Sequence, residues 1–138
     1  MFTLSFQRNR QRRTGVATVE FAVIIPVFLL ILMGTIETCT MIFLQQSLEI
    51  AAYEGARTSI VPETDLLDVK GAANNLLTAR KIRGATVTIV PADFQSVPYG
   101  SFIRVEVSAA CNNNTVFPLS FYGSKNLKGV AEFMKEFD

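Results

Sequence analysis

The sequence contains no histidine and only two cysteines, Cys39 and Cys111, among 138 residues. Without histidine no His-containing zinc site can form, and two thiolates cannot complete a four-cysteine one. The commonest general base is missing, and with it the usual partner of a nucleophilic serine or cysteine. There is no glycine-rich phosphate loop, and no set of carboxylates has a sequence reason to converge. An enzyme is therefore not expected, and neither are catalytic residues, a cofactor or a metal.

Acid is absent from the first fifteen residues, which carry Arg8, Arg10, Arg12 and Arg13 for a charge of +4. The rest of the chain holds nine Lys or Arg against twelve acids, so the overall +1 hides an asymmetry. No basic patch with interleaved aromatics lies downstream, so nucleic acid is not an expected partner. Hydrophobic residues make up 49% of the chain, concentrated between Val16 and Leu44. A basic block directly before an apolar run is the pattern that holds an N-terminus in the cytoplasm.

From Val16 to Thr35 the chain reads VATVEFAVIIPVFLLILMGT. A helix of that length rises about 30 Å, the thickness of a bilayer's hydrocarbon core. A cleaved secretory signal would end at a small-residue site, and GTIETCTMIF after Met33 offers none. A plain anchor fits the length but leaves Glu20 unexplained. A carboxylate in a membrane helix costs about 2.5–3.5 kcal/mol at the centre and less near an end. By position alone Glu20 is either functional or merely close to the headgroups. Pro26 removes one helical hydrogen bond, so a bend or local melting is expected near Ala22.

Spacing adds a further reading. Gly15 is followed by four residues and then by Glu20 and Phe21, after a run of arginines. This resembles the processing site of type IV prepilins, in which a membrane peptidase cuts after the glycine. The stretch from Gly15 to Arg57 also resembles the N-terminal signature of TadE-like pseudopilins of the tight-adherence (Flp) pilus system. The resemblance rests on Gly15, the run Val19–Ala22, Pro26, Gly34 with Glu37, and the closing Gly55-Ala56-Arg57. It implies cleavage between Gly15 and Val16 by a prepilin peptidase. It also implies that Glu20 neutralises the new α-amino group of a neighbouring subunit, and that Phe21 packs between helices. The partners it implies are other pilin and pseudopilin subunits, the inner-membrane assembly platform and membrane lipid. Adhesion belongs to the function implied. The chain would be a single-pass inner-membrane protein with its N-terminus cytoplasmic and its C-terminal domain outside, open to incorporation in the pilus. Two other readings remain: a minor pseudopilin of a type II secretion system, and an uncleaved membrane protein with a partner-binding outer domain.

The expected fold class is α+β, a pilin-like arrangement of a long apolar helix, a second helix and a small antiparallel sheet of about three strands. Residues 1–15 form the leader, 16–38 the membrane segment, 39–61 a helical extension and 62–138 the outer domain. In the extension, Leu44, Leu48, Ala51, Ala52, Gly55, Ala56, Ser59 and Ile60 keep spacings of three and four, and Pro62 ends the helix. Thr64 is the expected cap of the second helix. Arg80, Lys81 and Arg83 are expected in its last turn, where they would serve the helix dipole, with Gly84 beyond as its cap. Its apolar face is Leu66, Val69, Ala73, Leu76 and Leu77.

The period then changes to two over Ala85–Val90 and again over Phe102–Ala110, which places Ile103, Val105, Val107 and Ala109 on one face. A third strand is expected within Leu127–Phe137, with a short helix as the runner-up. Phe117, Phe121 and Tyr122 form an aromatic group better suited to core than to a contact surface. Cys39 and Cys111 both fall in an oxidising compartment, which leaves a disulfide open.

Overall fold

The structure, a computed structural model, describes residues 11–117, 122, 123 and 125–136, with side chains from Gly15 onward. Arg8, Arg10, Phe121 and Phe137 lie outside the described residues, as do the side chains of Arg12 and Arg13. The fold is α+β: α1 (Gln11–Ser59), α2 (Leu66–Ala79), β1 (Ala85–Val90), β2 (Phe102–Ala110), a 3-10 turn at Cys111–Asn113, and β3 (Asn126–Met134). Internal contacts divide the chain between Thr35 and Ile36 into two units.

In the first unit α1 is helical through Pro26 without a break. The local melting expected near Ala22 is therefore absent. Proline forfeits a single i→i−4 bond, and the bonds on either side hold the turn together.

In the second unit α1 is amphipathic. Its buried face repeats every three or four residues through Met41, Leu44, Leu48, Ala51, Ala52, Ala56 and Ser59, as the sequence predicts for the stripe. The small residues let the helix approach the sheet closely. A Cβ on Gly129 of β3 would collide with the α1 backbone at Leu48 and Glu49, and one on Gly55 would come within 3.2 Å of Val105. Glycine at 129 is thus the condition for the helix to lie on this strand.

Strand order is β1-β2-β3, antiparallel throughout. The strand predicted within Leu127–Phe137 is β3, pairing Ala109 with Leu127 and Phe102 with Met134, so the alternative helix is excluded there. Ile103, Val105, Val107 and Ala109 are buried under α1 and α2, as their alternation predicts. The opposite face is polar at its centre, where Arg104 pairs with Glu132 and Lys128 with Glu106. Tyr122 packs against the core.

The second helix differs from its expected boundaries. Its N-cap is Asp65, not Thr64, and the Asp65 backbone N–H donates to the Asp68 carboxylate at 3.1 Å. Thr64 is instead buried, and its carbonyl accepts from Gln95. The C-terminus falls at Ala79, one residue before the basic cluster rather than after it. Lys81 adopts a φ of 58°, and its N–H reaches the Thr78 carbonyl while Ile82 N–H reaches that of Leu77. These two bonds are the Schellman pattern, in which a left-handed residue closes the last turn. Lys81, and not Gly84, is that residue. Gly84 also has positive φ, but at the start of β1. Leu66 is exposed, and Val69, Ala73 and Leu77 carry the buried face.

Candidate functional site

Gly15, Val16, Glu20 and Phe21 all lie on α1, in its first unit. Every side chain from Val16 to Leu32 is exposed, and Phe21 retains 64% of its surface. Val16 and Glu20 are four residues apart, so they share one helical face a single turn apart. Nothing lies within 4 Å of the Cβ position on Gly15. A helix apolar on all sides, with none of that surface covered, requires a bilayer or other helices around it. By length and composition it is a candidate membrane span.

A second acid was not singled out as a site by sequence reasoning. Glu37 is 1% exposed at the start of the second unit. Among the described residues, neither of its buried carboxylate oxygens has a hydrogen-bond partner. The signal was present in the spacing: residues 37, 41, 44 and 48 are one stripe. An acid in that register takes a core position against its type. One residue on, Thr38 Oγ1 accepts a 3.1 Å hydrogen bond from the Tyr122 hydroxyl.

The disulfide left open by the sequence is not made, since both thiols are free. Cys39 is exposed and Cys111 is in the core. Burial pushes the Cys111 thiol above its ordinary value; its backbone hydrogen bond and Lys125 oppose the rise, and the nearby Glu37 charge adds to it.

A third feature is a hollow of about 250 Å³ where α1 enters the folded unit. Arg80, Lys81 and Arg83 line one side, Asn113 and Asn114 another, and Phe43 with Leu44 the apolar floor. The Arg80 guanidinium stands 5.8 Å from the Phe43 ring centroid.

The TadE-like protein family model matches residues 15–57. This stretch of the chain is TadE-like. The match covers about a third of the sequence and falls wholly on α1, ending two residues before the helix does. It contains Gly15, Val16, Glu20 and Phe21 as well as Glu37, and it suggests a Tad pilus-associated protein with partners in that pilus system. Comparisons with curated proteins and with solved structures give no match. The sheet, α2 and the cations of the basic hollow lie outside the TadE-like stretch, whereas the floor residues Phe43 and Leu44 lie within it.

Proposed function

We propose that this chain is a minor pilin or pseudopilin of a Tad-type pilus, cleaved after Gly15 and needed for pilus assembly and adhesion. The observation that carries the reading is the TadE-like α1, whose apolar segment is exposed on every side around a single acid, Glu20. Removal of the basic leader would leave an α-amino group at Val16. Glu20 would neutralise that group on a neighbouring subunit, so that both charges are desolvated together as helices pack. Extraction from the bilayer would be offset by helix burial in the growing structure. The role is non-enzymatic, and the partners are a prepilin peptidase, other pilin subunits and the inner-membrane assembly platform.

The test is peptide mass spectrometry of the protein from native membranes, with and without the peptidase. A mature N-terminus at Val16 that vanishes without the peptidase supports the reading. A chain that retains its leader in peptidase-positive cells refutes it and favours an uncleaved anchor with a partner-binding outer domain. Glu20→Gln should insert normally yet abolish or sharply reduce piliation, and normal pili would remove Glu20 from assembly.

A further inference from the structure

Three cations gather at one end of the sheet. At the end where α1 enters, beside the start of β1 and the close of β2, stand Arg80, Lys81 and Arg83. At the far end stand three acids, Glu63, Asp65 and Asp93, with a single cation, Lys135, among them. Among the described residues no acid lines the basic hollow, and neither Lys81 nor Arg83 has an ion pair. The helix dipole does not account for three cations here. The carbonyls of Leu76, Leu77 and Thr78 in the last turn are already satisfied by the backbone N–H groups of Arg80, Ile82 and Lys81, at 2.9–3.0 Å.

Lys81 also holds a left-handed conformation where glycine would be unstrained, so its side chain is present against the preference of the backbone. Asn114 braces the cluster from the neighbouring turn, accepting from Arg83 N–H at 2.9 Å and donating to its carbonyl at 3.0 Å. The cations therefore stand on a fixed backbone above an apolar floor.

We infer that this hollow binds the phosphate headgroup of an anionic phospholipid in the leaflet facing the folded domain. Three observations select lipid over other anions. The floor of Phe43 and Leu44 suits glycerol and the first methylenes of an acyl chain, which a free phosphate lacks. The arginines supply the forked donors that phosphate oxygens accept, while Asn114, whose amide already donates to the Arg83 and Ala110 carbonyls, serves only to brace them. Thr40, on the rim, follows the end of the apolar run at Thr35 by five residues, at most about 18 Å even for an extended chain. The hollow is thus tethered within reach of the headgroup layer. The cations are far from the membrane segment in sequence, so they do not enter the charge rule that orients it. The inference rests on the membrane-anchored part of the proposed function and not on cleavage.

The test uses the full chain in neutral detergent micelles, titrated with dioleoyl phosphatidylglycerol or phosphatidylcholine and read by native mass spectrometry. The wild type should retain phosphatidylglycerol preferentially, each cation contributing about fivefold. Arg80→Gln/Lys81→Gln/Arg83→Gln should lose the preference, and Arg104→Gln, on the outer sheet face, should keep it. Lys81→Gly relieves the left-handed backbone and so folds at least as well, yet it should lower the preference about fivefold.

Equal retention of the two lipids by the wild type, or a preference unchanged in the triple variant and in Lys81→Gly, overturns the site. Displacement of the lipid by equimolar inorganic phosphate would show that the apolar floor plays no part, and would replace the lipid with a free anion. A preference for an acidic pilin peptide over phosphatidylglycerol would reassign the hollow to a protein partner. The chain would stay membrane-anchored in each case, so failure here is distinct from failure of the pilin reading.

Discussion

The two parts of α1 belong to one continuous helix and do opposite things. From Val16 to Leu32 large apolar side chains point in every direction and all remain exposed. From Glu37 to Ser59 one face is buried and the other is free. Composition separates them only in part: residues 16–32 carry one charged side chain, Glu20, and residues 37–59 carry four, but content does not say which face is buried. Periodicity does. A helix that is apolar all round needs an apolar medium on every side, whereas a stripe needs one partner surface. The boundary between the units falls where the first pattern gives way to the second.

The comparison is broken most severely at the centre of the stripe. Leu48 is wholly buried and meets β3 at Gly129, so Leu48→Ala should cost the folded unit about 2–5 kcal/mol. Thermal or urea unfolding of the micellar full chain, followed by far-UV circular dichroism, measures it. A loss well under 1 kcal/mol would mean that α1 does not supply the core of this domain.

Glu37 gives the next largest effect, with the opposite sign. It occupies a core position of the stripe while carrying a carboxylate with no hydrogen-bond partner among the described residues. Glu37→Met keeps the volume and removes the unsatisfied group, and should stabilise the isolated protein by about 1–3 kcal/mol. Destabilisation in the same unfolding assay would show that the carboxylate is satisfied in solution, and that the stripe is not simply apolar.

The two cysteines sharpen the contrast between exposed and covered surface. Cys39 on α1 should react with a maleimide at the rate of a free thiol, and Cys111 only as the domain opens. Because burial raises the Cys111 thiol above its ordinary value, the folded state holds that proton more tightly than the unfolded chain. Its contribution to stability is whole below the ordinary thiol range and declines as pH rises through that range. Unfolding midpoints measured from neutral to strongly alkaline pH should therefore fall less steeply in Cys111→Ser than in the wild type. Parallel slopes would count against the burial account.

How far the sequence reveals this depends on whether a feature is local. The stripe on α1, its end near Pro62, and strands β1 and β2 follow from spacing within a few residues, and they stand where the pattern puts them. The third strand was legible because two strands alone leave a sheet open. The end of α2 was not. Gly84 looks like the better cap, yet Lys81 closes the helix because Ile82 then reaches Leu77 and turns its side chain toward the core. The basic hollow was illegible for a different reason. It joins residues near 43, 82 and 114, which only the antiparallel register brings together. Of the site residues named from the sequence, Gly15, Val16, Glu20 and Phe21 fall within the TadE-like match, and their roles await the processing and piliation experiments.

The smallest expected effect is the sharpest test of the division. Leu30 is as apolar as Leu48 but 61% exposed and outside the folded unit. Leu30→Ala should change the unfolding of that unit by no more than about 0.5 kcal/mol, since a surface substitution removes no internal packing. Its cost should appear elsewhere, in the surroundings that cover the helix. Helix association rests on close side-chain packing, so a truncated contact would weaken partner-helix contacts in a pilus more than it changes insertion into fluid acyl chains. Measuring domain unfolding and piliation on the same variant separates the two. Unchanged unfolding with reduced piliation is the result expected of an assembly helix joined to an independently folded domain. A loss above 1 kcal/mol in unfolding would show instead that Leu30 packs against the domain in solution, and the distinction between the two parts of α1 would fail.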